Sequence, residues 1–211
     1  MLISDSHKFI FIHIRKSAGG SIGKTLRPIS IAINKDPISK IKSRFLKIET
    51  NYQKFAFRQH CSILQVKEVI PKAIFNDYFK FAFVRNPYTR LVSEYEFIKR
   101  RPDHGRHKKV TNMDFHEYIL YQSKRIGAHQ INMLADKNGV LQMDFIGRFE
   151  NLQEDWNYVC DKLNLVKTDL SHQKKAPEVK YNDYYNEENR NLVASLWKKD
   201  LEVFGYDYED Q

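Results

Sequence analysis

The stretch FIFIHIRKSAGGSIGKTL, residues 9 to 26, constrains the fold more than any other. The Phe- and Ile-rich run from Lys8 to Ile14 reads as a buried strand. It passes through a loop of small residues into a helix that opens at Ser21, runs to Arg27 and is stopped by Pro28. Ser17, Ala18, Gly19 and Gly20 let the backbone turn tightly, so the N–H groups of the loop and of the first helical turn converge on one point, which suits an anion. Lys16 adds a charge at the strand exit and Ser21 a hydroxyl at the helix start. Gly23-Lys24-Thr25 also matches the end of the ATP-binding pattern G-x-x-x-x-G-K-[ST], but the first glycine of that pattern falls at Ala18. From the loop alone, either Lys16 or Lys24 is the phosphate ligand.

The same joint recurs at FKFAFVRNPYTRLVSEY. Residues 79 to 84 are the most strand-like run in the chain, and Pro87 fixes the first turn of the helix after it. Arg85 leaves the strand end, and Arg90 and Ser93, three apart, share a helix face. Arg85, as a forked donor, and Ser93 suit a second phosphate. KFAFRQHCS, 54 to 62, reads as a further strand ending in Arg58, Gln59, His60 and Cys61, with Ser62 as the N-cap of a helix that Pro71 ends. His60 and Cys61 are neighbours whose side chains diverge on an extended segment, which argues against a Cys–His nucleophile pair. His13 is expected inside the first strand and is set aside with His7, His116 and His129.

Residues 30 to 50 read as a loop with a weak helix, 99 to 109 as a basic loop, and 112 to 135 as two short helices. The run 140 to 150 reads as a strand, followed by a long helix burying Leu152, Trp156, Val159, Cys160 and Leu163. A polar loop, 171 to 183, precedes a last helix striped by Leu192, Leu196, Trp197, Leu201 and Phe204. Alternating strands and helices in 211 residues imply one domain over 1–211, an α/β three-layer sandwich with a central parallel sheet. Ligands of such sheets bind at the carboxyl ends of strands, which brings the three polar clusters to one edge.

A net charge of +9 points to an anionic partner: nucleotide, phosphate, acidic glycan, nucleic acid or membrane surface. No helix-turn-helix, zinc-finger or aromatic-sheet RNA motif is present, so nucleic acid is not expected. Two cysteines, Cys61 and Cys160, make neither a disulfide scaffold nor a metal-ligand pattern, so no metal is expected and two buried thiols are. The start of the chain lacks the pattern of a signal peptide, and no apolar run approaches the ~18 residues of a membrane span, so a cytoplasmic protein is expected.

The two strand–loop–helix clusters resemble the paired fingerprints of the sulfotransferases that use 3′-phosphoadenosine-5′-phosphosulfate (PAPS), particularly the carbohydrate branch similar to heparan sulfate 2-O-sulfotransferase and its bacterial relatives. The family's first loop, P-K-T-G-G-T-S, is met here by Arg15, Lys16, Ser17, Ala18, Gly19, Gly20 and Ser21. Its second motif, R-N-P-Y-x-R-x-x-S-x-Y, is met in full by Arg85, Asn86, Pro87, Tyr88, Arg90, Ser93 and Tyr95. Gly147-Arg148-Phe149-Glu150 and the closing DLEVFGYDY are similar too, so the likeness spans residues 8 to 206. Arg15 stands where the family has proline, and Gly20 where a threonine hydroxyl often meets phosphate, which shifts that contact to Ser17 or Ser21.

The resemblance implies a P-loop-NTPase-like sulfotransferase fold. It places the 5′-phosphosulfate of PAPS on the first loop with Lys16, the 3′-phosphate on Arg85 and Ser93, and Lys174 and Lys175 of the late loop over the nucleotide. It makes His60 the general base that deprotonates an acceptor hydroxyl, on a glycan or glycolipid, for direct in-line transfer with 3′,5′-adenosine bisphosphate (PAP) leaving. The alternative is an ATP-dependent P-loop kinase using Lys24 and Thr25. That alternative lacks the strand-end aspartate that holds magnesium, for which only Asp144 is a weak substitute.

Overall fold

In a computed structural model, residues 1–31, 57, 59–170 and 180–209 are described. Among these residues, four strands form one sheet in the order β1-β2-β3-β4: Leu2–Ser4, Phe9–Ile12, Phe79–Val84 and Phe145–Arg148. Strands β2, β3 and β4 are parallel, in register Phe11 with Phe81 and Phe81 with Phe145. The parallel expectation is corrected at one edge, where β1 pairs antiparallel with β2. Its three residues are too short a run to stand out in sequence, and they reach the sheet through a tight turn with Lys8 at φ 46°. Residues 54–56 and 58 of the expected second strand lie outside the described residues. Phe57 and Gln59 to Ser62 are not strand, and Gln59 and His60 form a turn.

The strands are apolar on both faces, as burial on both sides of a parallel sheet requires. Phe9, Phe11, Phe81 and Phe83 pack with Ile22 and Leu26 of α1 (Gly19–Leu26) and with Trp156, Val159 and Leu163 of a later helix. Ile10, Ile12, Ala82 and Val84 face the opposite layer. That layer holds α2 (Ile63–Lys67) and α3 (Lys72–Asp77), and α2 starts at the expected Ser62 cap, where Ser62 and Gln65 form a reciprocal capping box. Sheet and two helical layers make the three-layer sandwich.

Helix α4 (Pro87–Lys99) leaves β3 without a loop, its N-cap Asn86 accepting from the Tyr88 N–H. The basic segment 99–109 is a loop only as far as Arg106, where α5 (His107–Thr111) begins. The two short helices are α6 (Phe115–Ser123) and α7 (Ile131–Leu134). The strand expected over 140–150 shrinks to β4, because Leu141 instead bridges Ala135. Helix α8 (Leu152–Leu163) follows. The expected last helix is two, α9 (Glu187–Leu196) and α10 (Lys198–Phe204), broken at Trp197, whose buried indole donates to the Ala128 carbonyl at 3.1 Å. Helices α4, α6 and α9 enclose a second core with Tyr88, Tyr95, Phe115, Tyr118 and Tyr185. Cys61 and Cys160 are both buried, as expected. Among the described residues no helix is long and apolar enough to cross a membrane.

Candidate active site

The turn after β2 carries the loop expected to meet an anion. Lys16 and Ala18 both adopt left-handed backbone, φ 63° and 56°. Alternating handedness of this kind curls successive N–H groups inward into an anion nest. Helix α1 starts at Gly19, two residues before the expected Ser21, and its N-cap Ala18 offers no side-chain acceptor to the first-turn amides. A Cβ on Gly20 meets nothing within 4 Å, so that side of the loop is open. Ser17 is 1% exposed and its hydroxyl has no hydrogen-bond partner among the described residues. A buried polar atom without a partner is costly unless a ligand satisfies it. Open amides, an orphaned hydroxyl and the adjacent Lys16 fit a phosphate-like group.

Arg85, at the end of neighbouring β3, is 6% exposed. Its Nε donates to Thr89 Oγ1 at 3.0 Å, its Nη2 to the Tyr181 hydroxyl at 2.7 Å and its Nη1 to the Lys16 carbonyl at 3.3 Å. The guanidinium lies over the Phe149 ring, 4.1 Å from the centroid. Burial pulls its pKa down, with Tyr181 and Glu150 opposing. The backbone of Arg85 is fixed by Gln130, which accepts from Arg85 N at 2.9 Å and donates to Arg85 O at 2.8 Å. Gln130 N and Ile131 N in turn donate to the buried carboxylate of Asp200. The next residue, Asn86, gives its N–H to Glu150 Oε1 at 2.9 Å and its side-chain amide to the Asp207 carbonyl at 2.7 Å. Glu150 also accepts from the Tyr206 hydroxyl at 2.8 Å. The closing GYDY segment, turned by left-handed Gly205 (φ 60°), therefore clasps the second motif.

On α4, Thr89, Ser93 and Phe97 line one face at helical spacing, and the Lys16 ammonium sits 4.3 Å above the Phe97 ring. Ser93 is half-buried. Arg90 does not accompany it: the guanidinium is fully buried and donates to the Ala128 carbonyl, a structural role.

His60 lies beside the β2 exit, its Nδ1 2.9 Å from the His13 carbonyl. A carbonyl only accepts, so Nδ1 carries the proton and Nε2 holds the free lone pair. Burial lowers the His60 pKa, opposed by that hydrogen bond. His13, set aside in the sequence, stands directly against it, with ring centroids 4.7 Å apart. It lies one residue beyond β2, and nothing in its local sequence signals the contact.

A cationic wall adjoins His60. Arg15 is half-buried, and burial lowers its pKa, with Glu94 opposing and Arg106 and Arg125 assisting. Arg106 turns inward from the basic loop to pair with buried Glu94 at 2.5 Å, and Gln122 bridges both. Burial alone would raise the Glu94 carboxyl, but Arg106 holds it below the usual range. Arg101 of the same loop pairs with Asp103.

The structure thus brings together Arg15, Lys16, Ser17, Ala18, Gly19, Gly20, Ser21, His60 and Arg85, with Ser93 on the adjoining helix face. Lys174 and Lys175 lie outside the described residues. Lys24 is exposed on α1, beyond the loop, and Asp144 is taken by Lys80, which it meets through the backbone N–H and in an ion pair, both at 2.7 Å. Among the described residues no cluster of His, Cys, Asp and Glu could hold a metal. Sequence reasoning missed Gln130, Asp200, Tyr181 and His13, since each acts through a contact between distant segments.

Two strand-to-helix joints on adjacent parallel strands, one an open loop beside Lys16 and the other carrying buried Arg85, with His60 alongside the first, define an α/β fold with polar clusters gathered at the carboxyl edge of its sheet. The profile of the sulfotransferase family matches residues 1–207, and the chain belongs to that family. It is 24% identical over 191 residues to carbohydrate sulfotransferase 14 of Danio rerio, covering 77% of this chain and 48% of that protein. The chain thus spans about half the length of this curated relative. An uncharacterized protein of Archaeoglobus fulgidus is 30% identical over 104 residues, 47% of this chain and 79% of that one. Among solved structures, mouse sulfotransferase SULT7A1 complexed with PAP has the same fold, with a TM-score of 0.57 and 11% identity over 95% of this chain and 86% of that one.

Proposed function

We propose that the chain is a PAPS-dependent sulfotransferase acting on a hydroxyl of a saccharide acceptor, with His60 as the general base. The observation that carries this reading is the bond from Arg85 Nη1 to the Lys16 carbonyl, which ties together the two loops read here as the grips of one nucleotide. PAPS, when bound, supplies the sulfuryl group and departs as PAP.

The loop from Arg15 to Ser21 would hold the 5′-phosphosulfate. The orphaned Ser17 hydroxyl makes up for the family threonine that Gly20 replaces. Arg85 and Ser93 would hold the 3′-phosphate, with Lys174 and Lys175 adding charge. His60 Nε2 takes the proton of the acceptor hydroxyl as its oxygen attacks sulfur. The bond from sulfur to the bridging phosphate oxygen breaks as the new S–O bond forms. Lys16 and the loop amides neutralise charge on the departing phosphate, and such preorganised donors contribute about 3–4 kcal/mol each. Positioning supplies much of the remainder. A saccharide acceptor is supported by the likeness to a carbohydrate sulfotransferase.

The kinase reading is not favoured: Lys24 points to solvent and Arg85 stands where a magnesium ligand would be needed. Thermal shifts with PAP and with ATP plus magnesium test this first. Stabilisation by PAP alone is expected, and stabilisation by ATP–magnesium alone overturns the reading. Radiolabelled PAPS offered with a panel of saccharides, and products identified by mass, then tests the acceptor. Transfer only to non-saccharide hydroxyls in a broader panel would remove that part.

A further inference from the structure

We propose that His13 is a positioning residue, a rigid spacer clamped between Gly19 of the anion loop and the base His60 that sets the separation of the sulfuryl donor from the base. The proposal rests on the reading of His60 as the base.

The imidazole of His13 leaves β2 on the face of Phe9 and Phe11, is 9% exposed, and stacks on Phe11 with centroids 6.0 Å apart. On one side it packs against the His60 ring at an interplanar angle of 57°, while the His13 carbonyl accepts a hydrogen bond from His60 Nδ1–H. On the other side it fills the space where a side chain at position 19 would begin. A Cβ there would overlap His13 Cδ2 and Nε2 and press on Cγ. Gly19 has no need of a left-handed backbone, so this contact is what demands glycine. The ring thus lies between the loop at Gly19 and the His60 ring.

The hydrogen bonds fix its protonation as well. Gln59 Nε2 is a donor 3.3 Å from His13 Nδ1, so Nδ1 accepts and the proton sits on Nε2, facing Gly19. Burial holds the pKa down to about 3, and the positive potential of His60, the Met1 ammonium, Arg27 and Arg15 opposes a further charge. His13 therefore stays neutral and does not compete with His60 for the acceptor proton. Displacement of a reacting group by about 1 Å can cost 10²-fold in rate, so a spacer at this joint has leverage on turnover.

The test follows the His60 ring nitrogens by NMR, with PAP as the probe, in the wild type, His13→Ala, His13→Gln, Gly19→Ala and the double variant His13→Ala/Gly19→Ala. In the wild type, filling the loop with PAP is expected to shift the His60 resonances. In His13→Ala that shift falls at least threefold although PAP binds with Kd within about twofold. The His60 titration midpoint rises as water reaches its ring, against the charges of Arg15 from the β2 exit and Glu94 of α4, and with the Met1 amino group, lowered to about 6 by burial, titrating beside it. Gly19→Ala perturbs the His60 titration, and removing the His13 ring in the double variant relieves that perturbation. A merely structural His13 lowers Tm without changing the PAP-induced shift. Should His13→Ala fail to fold, His13→Gln, which keeps an acceptor for Gln59, carries the measurement. A PAP-induced shift that persists without the ring, or none in the wild type, overturns the spacer. Full turnover in His60→Ala would instead overturn the base assignment, and the two failures are told apart by these separate variants.

Discussion

The Arg85 guanidinium donates to the backbone carbonyl of Lys16 at 3.3 Å, across 69 positions of sequence. One arginine side chain thereby holds the exit of β2 while its own backbone is held by Gln130. The proposed 3′-phosphate ligand is thus also a strut of the proposed 5′-phosphosulfate loop.

Replacing Arg85 should therefore weaken nucleotide binding at both ends. Arg85→Lys keeps the charge but loses the fork that reaches Thr89, Lys16 and Tyr181 together. PAP affinity measured by calorimetry is expected to fall at least tenfold in Arg85→Lys, with hydrogen bonds to charged groups contributing about 1.5–3 kcal/mol. An unchanged Kd would remove Arg85 from the site.

Lys16→Ala should leave the fold intact, since the ammonium lies over the partly exposed Phe97 ring and not in a core. Its turnover is expected to drop by roughly 10²–10³, the usual cost of removing a donor that meets developing charge. Lys24→Ala, on the exposed side of α1, should match the wild type in PAP affinity and rate. The reverse ranking of the two lysines would favour the ATP-loop reading.

The acid limb of kcat/KM should lie below the ordinary histidine value, because burial lowers the pKa of His60. A base works deprotonated, so activity persists to a lower pH than a free imidazole would allow and is lost as pH falls through the folded value. Stability follows the same sign. With His13 at about 3 in the fold and at its ordinary 6.5 when unfolded, the unfolded chain binds the extra proton between these values. Stability is expected to be full above 6.5 and to decline on acidification toward 3. Urea midpoints measured across this range should fall less steeply in His13→Gln, and an equal slope would contradict the buried neutral imidazole.

Tyr206→Phe removes the hydroxyl donated to Glu150, which also receives the Asn86 amide. A loss of about 0.5–1.5 kcal/mol is expected in denaturant unfolding, the usual worth of one hydrogen bond. PAP affinity should weaken with it, because the clasp orients the turn that carries Arg85. Lost stability with unchanged PAP affinity would separate the clasp from the site.

Much of the candidate site was legible in the chain because its parts are local. A strand, small residues, a lysine and a helix start must be consecutive to build an anion loop, and Arg85 must directly follow β3 to share that edge. The Ser62–Gln65 capping box and the stop at Pro71 were likewise readable within a few residues. The short strand β1, the break at Trp197 and the inward turn of Arg106 to Glu94 were not, because each is settled by packing or pairing with a distant segment.

By itself, the sequence determined the two strand-to-helix joints proposed as anion grips, their order and the layered α/β plan, since periodicity and loop chemistry are properties of neighbouring residues. Only the tertiary structure decided what holds those grips in place: Gln130 on Arg85, Arg85 on Lys16, and His13 between Gly19 and His60. Hydrogen bonds and steric contacts act over a few ångströms of space, and separation along the chain carries no record of that distance until the sheet has brought its strands together.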